Sequence, residues 1–103
     1  FNWNYGIIYI MNEYLIETNK HYGGIQKVYK FPNGYGASVI RHKGSYGYKK
    51  GLWEVAVLLH GELCYDSGIT EDVMGHLNDP EVDNILGKIF RLWKKQKDSP
   101  WVL

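Results

Sequence analysis

The spacing of hydrophobic residues changes near Asp66 from a period of two to one of about 3.6, which limits the folds open to this chain. Before the change, Leu52–His60 has apolar side chains on both faces, which predicts a central strand covered at least in part on both sides. After it, apolar residues recur three or four positions apart and predict one helical stripe, formed by Val82, Ile85, Leu86, Ile89, Leu92 and Trp93. Strands that precede helices indicate an α+β domain.

The segment before Asp66 predicts an antiparallel meander of about four strands. Ile25–Phe31 and Gly36–His42 are joined by Pro32, Asn33 and Gly34, residue types that favour a tight hairpin turn. Lys43–Gly51 is rich in glycine, and we expect it to form an exposed flexible loop. Weaker patterns predict short strands at Glu13–Thr18 and Leu63–Tyr65.

Two helices are predicted after the strands. The first spans about Glu71–Leu77, with Thr70 as its N-cap and the first-turn acids Glu71 and Asp72 favoured by the helix dipole. The second has Asn78 or Asp79 as its N-cap and Pro80 as its first residue, and it is longer and amphipathic. We expect this C-terminal helix to pack on the sheet.

The length of 103 residues predicts a single domain over residues 1–103. Residues 1–10 are interpreted as a possible non-core extension before Met11, and residues 98–103 as a tail. One cysteine, Cys64, allows no internal disulfide, which favours a reducing compartment such as the cytoplasm. Residues 1–10 lack the features of a signal peptide, and no apolar run reaches the roughly 20 residues of a membrane span. The chain is therefore predicted to be soluble, without a membrane partner.

Charge is sorted into blocks along the chain. Eight acids and no Lys or Arg lie between Glu54 and Asp83. Carboxylates on a small scaffold can occupy a nucleic-acid-binding surface of another protein, because they stand in for phosphates. Complementing helix dipoles is the alternative role. The predicted protein-binding acids are Glu62, Asp66, Glu71, Asp72, Asp79, Glu81 and Asp83.

Thr18–Trp53 carries seven Lys or Arg and no acid. Its bases and tyrosines predict, as an alternative, a sheet face and loop that hold single-stranded nucleic acid by charge and stacking. The overall pI near 8.0 is lower than that of a strongly basic domain, which makes this the second hypothesis. The predicted residues are Lys27, Lys30, Arg41, Lys43, Tyr46, Tyr48, Lys49 and Lys50.

Sequence motifs for catalysis or for metal binding are weak. Gly44, Gly47 and Gly51 precede a strand, whereas a phosphate-binding P-loop needs Gly-Lys-Ser/Thr before a helix. The four histidines lack metal-ligand spacing, and Cys64 lies in an apolar strand context typical of a buried thiol. We therefore predict no enzyme, no metal and no cofactor.

Several segments of the chain resemble small uncharacterised proteins of bacteriophages and prophages. They are Asn33–Val39, Gly44–Gly47, Gly51–Leu58, Gly61–Leu63 and Ile69–Val73, within a similarity that covers about Met11–Leu92. The resemblance implies an accessory protein made in the cytoplasm of a bacterial host, and it carries over no catalytic residues. The leading hypothesis is a non-enzymatic protein that binds a host protein, for example as an anti-defence inhibitor. Trp101 and the apolar residues 1–10 would equally suit a homodimer contact.

Overall fold

A computed structural model describes residues 12–69 and 73–92 and has α+β architecture. The strands run β1 Leu15–His21, β2 Gly24–Lys30, β3 Tyr35–Arg41, β4 Trp53–Leu59, β5 Glu62–Leu63 and β6 Met74–Leu77. One antiparallel sheet has the order β1-β2-β3-β4-β5, and β6 pairs with β4. The α-helix α1, Asp79–Phe90, follows the strands. The class and the antiparallel sheet are confirmed, whereas six strands replace the predicted four.

The register of the central strands places one hydrophobic set under α1. Val39 lies opposite Val55 and Ala37 lies opposite Val57, and all four side chains are buried. The apolar stripe of α1 supplies the other half of the core, with the buried residues Val82, Ile85, Leu86 and Ile89. This arrangement confirms the predicted stripe for these four residues, because positions 82, 85, 86 and 89 lie on one face of an α-helix. The predicted stripe residue Trp93 lies outside the described residues.

The prediction of a first helix over Glu71–Leu77 is wrong for the part that the structure describes. Met74–Leu77 is strand β6, in which Met74 pairs with Val55 and Leu77 pairs with Trp53. His76 has a φ of 58°, which is incompatible with a right-handed helix. Pairing with the free edge of β4 outweighed the local helix signals. Thr70, Glu71 and Asp72, like residues 1–10 and the predicted tail 98–103, lie outside the described residues.

The longer helix has one of its two predicted N-caps, although its first residue is Asp79 and not Pro80. Asn78 is the N-cap, and its side-chain oxygen accepts a hydrogen bond from the Glu81 backbone N–H at 2.9 Å. The Glu81 carboxylate accepts in return from the Asn78 N–H, which completes a capping box.

No helix within residues 12–69 and 73–92 is both long and apolar enough to cross a lipid bilayer.

The opposite end of α1 is held by the predicted hairpin turn between β2 and β3. Asn33 is 8% exposed, and its Nδ2 donates to the carbonyl oxygens of Ile89, Phe90 and Leu92 at 2.9 to 3.1 Å. Its Oδ1 accepts from the Tyr35 N–H at 2.9 Å. One side chain therefore supplies partners both to the turn and to the last carbonyls of the helix.

We expect Asn33→Ala to lower the free energy of unfolding by about 2 kcal/mol, because it removes the Asn33 hydrogen bonds to the Phe90 and Leu92 carbonyls and to the Tyr35 N–H. Chemical denaturation of the full chain measures this loss. Asn84→Ala is the matched control, since Asn84 is exposed in the middle of α1 and alanine favours helix by a few tenths of a kcal/mol. Equal stability of the Asn33→Ala and wild-type proteins would contradict the role given to this turn.

Candidate nucleic-acid interface

The glycine-rich segment between β3 and β4 folds into a hydrogen-bonded structure and is not exposed throughout. Ser45 is buried, and its Oγ donates to the His42 carbonyl at 2.8 Å and accepts from the His42 N–H at 3.0 Å. Gly47 and Gly51 have φ values of 88° and 71°, which glycine adopts at little cost. They flank a 3₁₀ turn, Tyr48–Lys50, that places two lysines side by side on the surface.

Tyr46 lies on the side of the sheet that α1 does not cover. Its backbone N–H donates to Oε1 of Glu54. Glu54 follows the buried Trp53 in β4, so the two side chains lie on opposite faces of the sheet. The Tyr46 ring stacks on the His76 ring with centroids 6.2 Å apart and an interplanar angle of 27°. Gly75 permits this approach, because a Cβ there would lie 2.5 Å from the Cβ of Tyr46.

A depression of about 430 Å³ opens beside this stacked pair. Its wall combines three lysines with aromatic and imidazole rings, contributed by Lys43, Tyr46, Tyr48, Lys49, Lys50 and His76. Lysines bind phosphate as point charges, and exposed rings offer faces on which unpaired bases stack. Both kinds of contact that single-stranded nucleic acid requires are therefore present at one place.

The β1–β2 hairpin lies against the same loop. The Lys43 N–H donates to the Tyr22 carbonyl at 3.1 Å, and the Tyr48 hydroxyl donates to the Gly23 carbonyl at 3.4 Å. The His21 and His42 rings meet edge to face with centroids 5.0 Å apart. We call the combined region, residues 20–23 and 42–51 together with His76, the loop-end surface.

The structure brings together five of the eight residues predicted to bind nucleic acid, namely Lys43, Tyr46, Tyr48, Lys49 and Lys50. Lys27 and Arg41 lie instead over the Trp53 ring, with the Lys27 Nζ at 5.1 Å and the Arg41 Cζ at 4.1 Å from the centroid. Lys30 is exposed but pairs with Gly36 beside the opposite turn of β3. The predicted continuous Lys and Tyr face is therefore replaced by a patch at one end of the sheet.

Four ring-bearing residues of this surface, His21, Tyr22, His42 and His76, were not predicted as site residues. The histidines show no informative spacing in the sequence, since β1, β3 and β6 bring them to the same end only after folding. The sequence signal for this part of the surface is Gly23, which follows Tyr22 between the segments that form β1 and β2. A glycine at such a point is typical of a turn.

The predicted acidic residues fall in two separate places. Glu62 and Asp66 are exposed around β5, whereas Asp79, Glu81 and Asp83 lie at the start of α1. Two of the three in α1 have hydrogen-bond partners within the protein: Trp53 Nε1 donates to Asp79 Oδ1 at 2.7 Å, and Glu81 belongs to the capping box. Glu71 and Asp72 lie outside the described residues.

Asp83 has a raised pKa relative to its ordinary value of 3.8, chiefly because burial penalises the carboxylate and secondly because Asp79 is nearby. Lys27 opposes this shift of the Asp83 pKa. Burial, followed by the negative charge of Asp83, also raises the pKa of the Tyr29 hydroxyl. These groups line a cleft between β2 and the start of α1, away from the loop-end surface.

The histidine, cysteine and carboxylate side chains of residues 12–69 and 73–92 form no group of three or more that could hold a metal ion. Cys64 is buried, and its Sγ donates to Asp66 Oδ1 at 3.2 Å.

We expect Asp83→Asn to raise the melting temperature near neutral pH. A carboxyl whose folded pKa is raised carries a stability penalty when it is ionised, and this penalty is absent below the unfolded value of 3.8, where both states are protonated. The gain should therefore shrink as the pH falls through the raised pKa towards 3.8 and vanish below it. Thermal denaturation across this range measures it. A lower melting temperature for Asp83→Asn near neutral pH would show instead that attraction to Lys27 dominates.

In comparisons with known proteins, no family model, no curated protein and no solved structure matches the chain. The residues of the loop-end surface are therefore the basis for assigning a function.

Proposed function

We propose that this protein binds single-stranded nucleic acid through the loop-end surface. The observation that carries the proposal is the stacked Tyr46–His76 pair in a depression shared with Lys43, Lys49 and Lys50. The lysines would bind phosphates, and the exposed rings would stack on bases. The role is one of binding, without a catalytic step.

The exposure of Tyr46 supports this proposal. Tyr46 is 61% exposed although it is a large aromatic residue, whereas Tyr29 and Tyr35 are buried beneath α1. The exposed Tyr46 ring contributes little to the free energy of folding. A base that stacks on it would contribute about 1 to 3 kcal/mol to the free energy of binding. Stacking needs unpaired bases, so we infer that single strands are preferred to a duplex, which presents chiefly its phosphates to such a patch.

Replacement of Tyr46 tests the stacking contribution. We expect Tyr46→Ala to weaken binding of an oligothymidine or an oligouridine of about 12 nucleotides by roughly 5- to 150-fold, the range given by the loss of one stacked base. Fluorescence anisotropy with a labelled oligonucleotide measures the affinity. Tyr65→Ala is the matched control, since Tyr65 is 50% exposed beyond β5 and should leave the affinity unchanged.

The same titration at several salt concentrations tests the lysines. Each phosphate contact to a single strand contributes about 0.7 to the slope of log K against log salt, so Lys49→Ala with Lys50→Ala should reduce that slope by about 1.4. Lys30→Ala with Lys88→Ala removes two exposed charges elsewhere and is the control. An equal loss for both double variants would show that binding follows net charge, and the loop-end surface would lose its assigned role.

A second candidate function is binding of a bacterial host protein, as the acidic residues and the resemblance to phage proteins predict. The observation that favours it is the segment around β5, where Leu63 and Tyr65 are 55% and 50% exposed. Glu62 and Asp66 flank these apolar side chains with exposed carboxylates. Aromatic anchors with a charged rim are typical of protein interfaces, and an anti-defence inhibitor would use them to cover a basic surface.

The second candidate predicts that a host protein binds the immobilised full chain after nuclease treatment of the lysate. Tyr65→Ala with Glu62→Lys should abolish this retention, because the anchor and its charge are both lost. The matched control is Tyr46→Ala with Glu13→Lys, which changes another exposed tyrosine and another exposed acid. Retention that is lost in the control and kept in the first variant would contradict the segment around β5 as the interface.

A further inference from the structure

The β1–β2 hairpin has an unusual residue in its turn. The two turn residues, Tyr22 and Gly23, have φ values of 48° and 76°. A two-residue turn with positive φ at both positions favours Asn, Asp or Gly at the first of them. A tyrosine there is strained, because its Cβ approaches the following carbonyl in the left-handed region.

The Tyr22 ring packs only at the surface of the protein. The Tyr22 side chain is 65% exposed, and its ring contacts are with His42 and His21 at centroid distances of 5.8 and 6.5 Å. Among the described residues, Tyr22 and Tyr46 are the two most exposed large hydrophobic side chains. Both belong to the loop-end surface. A strained and exposed aromatic residue lowers the stability of the fold, and such residues are typical of binding sites.

The position of Tyr22 relative to the loop is fixed. Its carbonyl accepts the Lys43 N–H, and the Lys43 side chain packs closely over Gly23, where a Cβ would lie 2.8 Å from Cε. Lys43 also lines the depression beside Tyr46. The lysine therefore lies between the two exposed tyrosines, and Lys20 adds a further cation on the hairpin side.

From these observations we infer that Tyr22 is a second base-stacking residue for single-stranded nucleic acid, an inference that rests on the function proposed above. One base stacks at Tyr46 and another at Tyr22, and Lys43 contacts the phosphate between them. The bound strand thus extends from the β3–β4 loop onto the β1–β2 hairpin.

The chain contains a matched control for this hairpin. His60 and Gly61, with φ values of 50° and 85°, form an equivalent two-residue turn between β4 and β5. This turn lies at the other end of β4 from the loop-end surface. His60 is also half-buried, and its Nε2 has no hydrogen-bond partner among the described residues.

The experiment compares Tyr22→Asn with His60→Asn in the full chain, using thermal unfolding and the affinity for an oligothymidine of about 12 nucleotides. Both substitutions install a residue that the turn favours, so both should raise the melting temperature by about 2 to 6 °C. Tyr22→Asn alone should weaken binding, by about 10-fold. Tyr22→Phe keeps the ring and should bind as the wild type does.

Three results would overturn the inference, and they differ from one another. A lower melting temperature for Tyr22→Asn would show that the tyrosine is retained for stability. Unchanged affinity of Tyr22→Asn, alongside weakened binding by Tyr46→Ala, would confine the interface to the loop and leave the proposed function standing. Wild-type protein that binds neither oligothymidine nor oligouridine would refute the proposed function itself, whatever the melting temperatures show.

Discussion

The carboxamide of Asn33 joins the two layers of this protein, and the position of the helix depends on it. The C-cap residue Arg91 has a φ of −88°, so α1 does not end in the left-handed glycine conformation that often supplies donors to the last carbonyls. The Asn33 Nδ2 donates to the Phe90 and Leu92 carbonyls from the β2–β3 turn, and it adds to the backbone N–H donors of the Ile89 carbonyl. At the other end, Trp53 Nε1 donates to Asp79. With both ends anchored to the sheet, α1 covers one face and shields its aromatic residues.

This arrangement decides which aromatic residues are available to a ligand. Tyr29, Phe31, Tyr35 and Trp53 are buried on the helix side, and two cations, Lys27 and Arg41, lie over the Trp53 ring. These residues contribute to stability through packing and cation–π contact. Tyr22 and Tyr46 remain exposed at the loop-end surface, and Tyr65 remains exposed beyond β5. The two proposed functions use these two locations.

Much of the fold follows from local signals in the sequence. Alternation predicts β4, Pro32-Asn33-Gly34 predicts the hairpin, and Asn78 with Pro80 predicts the start of α1, because each depends on neighbouring residues alone. Strand β6 was missed because its pairing with β4 is a long-range contact that outweighs a local helix preference. Its left-handed residue, His76, has no recognisable signature in the sequence.

The candidate site was predictable in composition but not in arrangement. The segment from Lys43 to Lys50 shows its lysines and tyrosines directly. The residue pattern did not define the strand register. In the observed register, Lys27 and Arg41 lie over Trp53, and Lys30 lies at the end of the sheet opposite the loop-end surface. His76 joins Tyr46 only through the pairing of β6, and Tyr22 occupies a turn position where asparagine or glycine is the usual residue. Residues that depart from local preference, such as these two, are the least visible in a sequence.

The proposed function requires that a single strand bind the loop-end surface. The most direct measurement is an NMR titration that follows backbone amide shifts of the full chain as oligothymidine is added. We expect progressive shifts confined to the amides of residues 20–23 and 42–51 and of His76, with the helix amides unmoved. Shifts centred on Glu62–Asp66, or no shifts at oligonucleotide concentrations that saturate ordinary single-strand binders, would contradict it.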